Sequence, residues 1–193
     1  MPAKSYSPLR LYLDTNVLLD LWTGRNPHTD ELLVTAATER WEITTSHFAA
    51  MEVIDVIQER KWAIRELGEN NRQLNWVLRQ RRSRKLPEDT LKATSREFTD
   101  FKRRFHRIAW YDVESGLLEK AMGISLESNL SAPDCLHVAM AVEIGAHILV
   151  TRDEPLRNQA SPWIPTGRPE EIRKLFEEDG LDGLVNLIER AEA

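Results

Sequence analysis

The chain has 193 residues, which at about 150 residues per domain favours one compact domain over two. Hydrophobic residues make up 41% and charged residues 30% of the sequence, and this composition excludes a disordered chain. No charge-free run reaches the ~18 residues of a membrane-spanning helix, and the N-terminal segment lacks the apolar region of a signal peptide. We therefore expect a cytoplasmic protein with no membrane partner. The single cysteine, Cys135, excludes an intrachain disulfide and a cysteine-based zinc site.

The net charge of −5 conceals an uneven distribution along the chain. Residues 79–107 contain 11 Lys and Arg against four acids, a local net charge of +7. Residues 169–193 contain three Lys and Arg against eight acids, a local net charge of −5. The middle of the chain could therefore contact a polyanion, whereas the C-terminal segment would repel one.

The first elements alternate between strand and helix. A short apolar run at 11–13 predicts a buried strand that ends at Asp14 and is followed by a helix. Residues 30–40 predict a second helix, and the β-branched and aromatic residues of 41–45 predict a second strand. Ser46 is a favourable N-cap for the helix that follows.

The middle of the chain lacks strand-like runs. Residues 61–107 show polar helical patterns broken at Pro87, which predicts a helical hairpin inserted into the domain. A short strand is predicted near 109–113, followed by a helix over 114–122 that Gly123 could cap.

The last third returns to alternation. Ser131 begins an amphipathic helix that ends near Gly145, and 147–151 is the clearest strand pattern of the chain. Residues 163–165 predict an edge strand, since a proline cannot donate to a sheet. The remainder predicts a C-terminal helix interrupted at Gly180.

Alternating strands and helices predict an α/β fold, a three-layer α/β/α sandwich with a mostly parallel central sheet. We assign residues 1–168 to this domain, with 61–107 as its helical hairpin insertion, and 169–193 to an acidic C-terminal helical extension. Ligands of such sheets bind beyond the carboxyl ends of the strands.

Four acidic residues stand at strand ends, helix starts or in apolar surroundings: Asp14, Glu52, Asp134 and Asp153. Oxygen ligands of this kind suit a hard divalent cation such as Mg²⁺ or Mn²⁺. A bound ion can activate a water and stabilise the charge that develops on an attacked phosphodiester, so no histidine base is needed.

Two of these acids also fit capping boxes, a structural alternative. Ser131 could open a helix with Asp134 in its first turn, where the carboxylate satisfies backbone groups. Thr151 and Glu154 match the same pattern, which would place Asp153 in a first helical turn.

The other two acids also have structural interpretations. Asp14 could close a turn with its own side chain. Glu52 shares a helix face with Asp55 and Glu59, which is typical of a solvent-facing surface. The combination of four acids favours a metal site over these separate roles.

Four segments together resemble the PIN-domain family of metal-dependent ribonucleases, which includes the VapC-type toxins of bacterial toxin–antitoxin pairs. The segments read LDTNVL at 13–18, TSHFAAME at 45–52, PDCLHVAMA at 133–141 and LVTRD at 149–153. They frame residues 10–165, and their order and spacing carry the resemblance together with the motifs.

The resemblance implies a site and an activity. It implies that the four acids bind one or two Mg²⁺ or Mn²⁺ ions and that a metal-activated water hydrolyses RNA. It also implies supporting polar groups, for which the candidates are Thr15, Asn16, Ser46 and Thr151. An antitoxin protein and a homodimeric partner are the interactions expected of a toxin of this kind.

The basic segment supplies candidate RNA contacts. The candidates are Arg79, Arg81, Arg82, Arg84, Lys85, Lys102, Arg103 and Arg104. The alternative is a hairpin with a solvated basic face, and for the neighbouring Phe98, Phe101 and Phe105 we favour packing in a core over stacking on bases.

Two other functions stay open at this point. A catalytically weak PIN-like module that binds RNA or protein would use the same residues structurally. A structure-specific DNA nuclease would use the same phosphodiester chemistry, since the contacts to the 2′-hydroxyl that separate RNA from DNA are not visible in a sequence. Small PIN toxins are usually shorter than this chain, whose extra length lies in the hairpin and the acidic extension.

Overall fold

A computed structural model describes residues 8–191. The N-terminal residues used for the signal-peptide prediction and the last two residues of the acidic extension are outside this range. The chain separates into two compact units. The first unit comprises the chain up to Ala49 and from Arg107 onward, and the second comprises Ala50–His106.

The described residues form five strands and nine α-helices. The strands are β1 (Arg10–Leu13), β2 (Glu42–Ser46), β3 (Ile108–Tyr111), β4 (Ile148–Val150) and β5 (Thr166–Gly167). The helices are α1 (Thr15–Thr23), α2 (Pro27–Thr38), α3 (His47–Gly68), α4 (Leu74–Gln80), α5 (Glu88–Arg104), α6 (Leu117–Glu127), α7 (Ala132–Glu143), α8 (Glu154–Ala160) and α9 (Pro169–Ala191). A 3₁₀ turn at Arg81–Ser83 follows α4.

The strands of the first unit form one parallel sheet in the order β3-β2-β1-β4-β5. The central strand β1 pairs with β2 through Leu11 and Ile43, and with β4 through Leu13 and Val150. The predicted parallel α/β fold is thus confirmed. Because β1 and β4 are neighbours in register, the residues that follow them in the chain meet at one edge of the sheet.

Helices cover the two faces of this sheet, which gives the three-layer architecture. Tyr12 and Leu149 lie on one face in a buried cluster with residues of α6, α7 and α8. Leu11, Leu13 and Val150 are also fully buried and alternate with these residues along the strands, so they point to the other face. The helix α2 packs against α1 and α9. The Phe176 ring of α9 packs edge-on against the ring of Trp41, the residue before β2.

The helices predicted over 30–40 and 114–122 begin at Pro27 and Leu117 in the structure. Two further predictions are wrong. Gly123 does not cap a helix, because α6 continues through it to Glu127 and buries Ile124 one residue later. The predicted edge strand at 163–165 is displaced to β5, although the carbonyl of Pro165 still accepts from Leu149 N at 2.9 Å. Gly180 interrupts α9 as predicted, with a φ of 63°.

All described elements of the second unit are helical, in keeping with the helical patterns of 61–107, but the unit begins at Ala50, before the predicted start of the insertion. Lys61 on α3 joins α5, with its ammonium 3.1 Å from Thr94 Oγ1 and 2.7 Å from the Glu97 carboxylate. The ring centroids of Trp62 and Trp76 lie 6.2 Å apart. None of the described helices is both long enough and apolar enough to cross a membrane.

Candidate functional site

Asp14 follows β1 and occupies the N-cap of α1 with only 4% of its surface exposed. Its backbone N–H donates to Val150 O of the neighbouring strand at 3.1 Å, and its carboxylate accepts from Thr15 N. The turn role considered from the sequence is therefore present. The same geometry fixes a buried carboxylate at the carboxyl edge of the sheet, where ligands of parallel sheets bind.

Two side chains hold the Asp14 carboxylate from the side of β4. Asn16 Nδ2 and Thr151 Oγ1 both donate to Asp14 Oδ2, at 2.7 and 2.6 Å. Asn16 Nδ2 also lies 3.2 Å from Thr151 Oγ1, so the three side chains form a closed triangle of hydrogen bonds. Three of the four polar residues predicted to support the site therefore contact Asp14. Asn16 and Thr151 do so through their side chains, and Thr15 does so through its backbone N–H.

A buried chain of hydrogen bonds approaches Asp14 from beneath α7. Ser46 Oγ lies 2.9 Å from the Tyr12 hydroxyl, which lies 2.9 Å from His137 Nδ1. His137 Nε2 lies 3.1 Å from Thr15 Oγ1 and 3.4 Å from Asp14 Oδ1. With the imidazole hydrogen on Nε2, the Ser46 hydroxyl donates to Tyr12, the Tyr12 hydroxyl donates to His137 Nδ1, and Nε2 donates towards Thr15 and Asp14. Buried networks satisfied in this way fix side-chain orientation.

Asp153 occupies the N-cap of α8, so the predicted capping box from Thr151 to Glu154 is wrong. Its carboxylate accepts from Leu156 N at 3.0 Å, and its own N–H donates to Thr151 Oγ1 at 3.0 Å. A shared contact with Thr151 therefore links Asp153 to Asp14. A hydrogen bond from the Arg168 side chain lowers the pKa of the adjacent Glu154.

Asp134 lies in the first turn of α7, as the capping interpretation predicts. Ser131 is the N-cap, with its hydroxyl 3.4 Å from Asp134 N and 2.6 Å from Asp134 Oδ2. Asp134 is partly exposed and lies one turn before His137, on the same helix face. Because His137 reaches Asp14, the start of α7 lies at the same edge of the sheet.

Glu52 lies on α3 in the second unit, three residues past the point where the units divide. Its participation in the site therefore stays a prediction. Within residues 8–191, no three His, Cys, Asp or Glu side chains lie close enough together to hold a metal ion. Within the first unit, Asp14, Asp134 and Asp153 are thus not gathered into one cluster in this structure.

The basic residues lie in the second unit and differ in what they contact. Arg84 is the most engaged, since its side chain is only 15% exposed and pairs with Asp55 and Glu59. On α5, Arg103 pairs with Asp100 at 3.2 Å, and the Arg104 guanidinium lies 5.0 Å from the Phe105 ring centroid. The remaining candidates are exposed or partly exposed: Arg79, Arg81, Arg82, Lys85 and Lys102. The favoured core interpretation of Phe101 agrees with its 6% exposure.

The sequence reasoning missed three charged residues beside the site. Asp20 on α1 is fully buried and pairs with the guanidinium groups of Arg25 and Arg152. The signal was present, since an acid at position 20 interrupts an otherwise apolar run on a helix face. Arg152 stands inside one of the four motif segments, but nothing in the sequence indicated its partner, which lies 132 residues away.

Residues 11–161 match the family model of the PIN domain. The chain belongs to the PIN-domain family. The match spans all four motif segments and both compact units, and it includes Asp14, Asp134 and Asp153. Members of the PIN family are generally nucleases, which makes this chain a member of a nuclease family. No curated protein matches the sequence.

Two solved structures are similar to this chain, and one of them reaches a TM-score of 0.50. A chain of a toxin–antitoxin complex from Klebsiella pneumoniae superposes with a TM-score of 0.50 at 17% identity, covering 82% of this chain and 97% of that one. The protein PAE2754 from Pyrobaculum aerophilum gives a TM-score of 0.47 at 16% identity, covering 95% and 98%. At these identities the likeness of the first structure supports the fold alone.

Proposed function

We propose that this PIN domain is a metal-dependent endoribonuclease that hydrolyses RNA phosphodiester bonds with a metal-activated water. The observation that carries the proposal is the Asp14 carboxylate, buried at the carboxyl edge of the sheet and held by Asn16 and Thr151. Burying a carboxylate is costly, and the hydrogen bonds of three neighbouring residues compensate that cost. A family motif at this position favours a catalytic role over a purely structural one.

The donor chemistry of the site is compatible with Mg²⁺ or Mn²⁺. Carboxylate and hydroxyl oxygens are the groups that these hard cations prefer, and each cation commonly keeps several waters. Asp14 would be the central ligand of one or two such ions, and Asp134 and Asp153, which lie near the same edge of the sheet, would have to move closer to it to complete the site. A small number of carboxylate ligands is compatible with Mg²⁺, which proteins commonly bind through one or two carboxylates together with the substrate phosphate.

Neighbouring side chains of the protein orient the carboxylates of this site. A bound divalent cation supplies a water of lowered pKa and stabilises developing negative charge. Asn16 and Thr151 keep the Asp14 carboxylate in one orientation, and His137 supports it from the buried side. Asp153 is the N-cap of α8 and Asp134 lies in the first turn of α7, so hydrogen bonds at the helix starts anchor both carboxylates.

We further propose that the nuclease acts as the toxin of a toxin–antitoxin pair. The Klebsiella pneumoniae chain with a similar fold was solved in a toxin–antitoxin complex, which motivates the proposal. The partner would be an antitoxin protein. Co-expression with the protein of the adjacent reading frame should restore growth that expression of this chain alone inhibits, and unaffected growth in both cases would contradict the toxin role.

The central test replaces Asp14 by Asn, which removes one charge at constant side-chain volume. We expect Mn²⁺-dependent cleavage of total RNA to fall by 10²-fold or more, as for the loss of a major electrostatic contribution to catalysis. The matched control is Asp182→Asn on α9, where the carboxylate is exposed, and it should cleave at the wild-type rate.

The same assay separates the alternatives. EDTA should abolish cleavage by the wild type, and single-stranded and branched DNA of the same length should be cut more slowly than RNA. A folded Asp14→Asn variant with full activity would contradict the site. Preferential cleavage of branched DNA would favour a structure-specific DNA nuclease, and RNA binding without cleavage would favour a binding module.

A further inference from the structure

Two arginines share one buried acid next to the candidate site. Asp20 on α1 has no exposed surface, and its Oδ1 accepts from Arg25 Nε. Its Oδ2 accepts from Arg152 Nη1 at 3.0 Å, and Asn26 Nδ2 lies 3.4 Å from the same oxygen. The cluster therefore combines one negative and two positive charges, a net charge of +1 on a protein whose total charge is −5.

Both arginines are tied to the residue that holds Asp14. The backbone N–H of Arg152 donates to Asn16 Oδ1 at 3.0 Å, while Arg25 Nη2 lies 3.4 Å from Asn16 O. The amide nitrogen of Asn16 donates to the Asp14 carboxylate. Asn16 thus links the backbone of Arg152 and the guanidinium of Arg25 to the carboxylate of the candidate site. All of these contacts lie within the first unit.

The guanidinium groups keep donors available for a ligand. The side chains of Arg25 and Arg152 are 38% and 42% exposed, although Asp20 is entirely buried. Among residues 8–191, Arg25 Nη1 and the Nε and Nη2 groups of Arg152 have no hydrogen-bond partner. Asp20 therefore holds Arg25 through Nε and Arg152 through Nη1, and both partly exposed side chains keep further N–H groups that can donate.

We propose that Arg25 and Arg152, the arginine pair, bind a phosphate of the nucleic-acid substrate beside the Asp14 site. Carboxylates at the sheet edge repel an anionic backbone, and a nearby pair of fixed guanidinium groups offsets this repulsion. Because Asp20 holds both side chains, little rotamer freedom is lost when the phosphate binds. The inference rests on the proposed nuclease function and assigns its substrate contact.

The test measures binding separately from cleavage. Arg25→Gln and Arg152→Gln are titrated against a fluorescein-labelled single-stranded RNA in EDTA, over a series of salt concentrations. Each variant should bind on the order of tenfold more weakly, as for a lost hydrogen bond to a charged group. Each should also reduce the slope of log affinity against log salt by about 0.7. The matched control is Arg173→Gln, since Arg173 pairs with Glu31 on another helix, and its binding should be unchanged.

A further substitution, at Asp20, distinguishes two roles of the arginine pair. The arginines either bind phosphate or only balance the buried charge of Asp20. The triple variant Asp20→Asn, Arg25→Gln, Arg152→Gln leaves no unpaired charge at position 20, so its thermal midpoint should recover relative to the double variant Arg25→Gln, Arg152→Gln. Its RNA binding should stay weak if the arginines contact phosphate. Recovery of both properties would overturn the proposal, because the arginines would then act only on Asp20.

The outcomes also separate this inference from the proposed function. Arginine-dependent binding in EDTA without any cleavage in Mn²⁺ would contradict the nuclease function and leave the phosphate contact supported. Wild-type binding and salt slope in both single variants, or no RNA binding by the wild type, would overturn the phosphate contact whatever the cleavage assay shows.

Discussion

The orientation of Asp14 depends on neutral side chains more than on charged ones. Asn16 and Thr151 donate to one oxygen of its carboxylate, and Thr15 N donates to the other. Tyr12 and His137 extend this arrangement into the core beneath α7. Neutral donors compensate burial without cancelling the negative charge that a cation site requires.

Tyr12 offers a residue-scale test of this support. Its hydroxyl is buried between Ser46 Oγ and His137 Nδ1, so Tyr12→Phe removes one partner from each at nearly constant volume. We expect a loss of about 1–3 kcal/mol in the free energy of unfolding, measured by urea denaturation.

The control for this change is Tyr111→Phe. Tyr111 is half-buried and forms no side-chain hydrogen bond with any residue between 8 and 191, so its loss should stay within about 0.5 kcal/mol. Equal losses in both variants would show that the Tyr12 hydroxyl does not support the network.

At the residue scale, the sequence predicted the polar residues that follow strand ends. It did not predict hydrogen bonds between residues far apart in the chain. Asp14, Asn16 and Thr151 follow neighbouring strands, and the rule for parallel sheets places them together. Tyr12 and His137 are 125 residues apart, and Tyr12 belongs to a strand whose apolar pattern gives no sign of a polar partner. Only the register of β1 and the position of α7 bring the two together.

Two helix starts of this chain follow directly from their capping residues. Ser46 and Ser131 begin helices as their side chains indicate, because a hydroxyl that accepts from a backbone N–H is a local property. Gly123 illustrates the opposite case. A glycine can end a helix or continue it, and here the burial of Ile124 on the same helix keeps it helical.

A pair of glycine substitutions tests this element-scale distinction. Gly180 interrupts α9 with φ 63° and ψ −148°, a conformation that is strained for any residue with a Cβ. Gly123 has ordinary helical geometry, and an added Cβ would meet no described atom within 4 Å. Gly180→Ala should therefore lower the free energy of unfolding by about 1–3 kcal/mol, whereas Gly123→Ala should raise it by about 0.5–1 kcal/mol.

Urea denaturation of the two variants beside the wild type gives both signs in one experiment. The environment of Gly180 is also open, with nothing within 4 Å of an added Cβ, so a destabilisation there reports backbone conformation and not a clash. Stabilisation by Gly180→Ala would show that α9 can straighten through residue 180.

The acidic site residues of the sheet and the basic stretch belong to different units of the molecule. The sheet and the carboxylates of Asp14, Asp134 and Asp153 belong to the first unit, whereas the basic stretch belongs to the helical second unit. The sequence predicted this insertion because 61–107 lacks strand patterns. It could not predict which basic residues are engaged, since Arg84 meets Asp55 across 29 positions of the chain.

This distinction yields a prediction about the second unit. Arg81, Arg82 and Lys85 are exposed, so the triple replacement of these residues by Gln should remove phosphate contacts without disturbing the helices. In the RNA titration in EDTA, the slope of log affinity against log salt should fall by up to about 2, at about 0.7 for each lost contact.

The single variant Arg84→Gln is the counterpart, because this side chain is 15% exposed and is held by the acids of α3. Loss of these ion pairs should lower the thermal midpoint, while the salt slope of RNA binding should remain that of the wild type. An unchanged slope in the triple variant would assign the exposed basic residues to a solvated face. A reduced slope in Arg84→Gln would mean that RNA competes with Asp55 for this guanidinium. The two variants thus test whether exposure or charge alone decides which arginines of the second unit contact RNA.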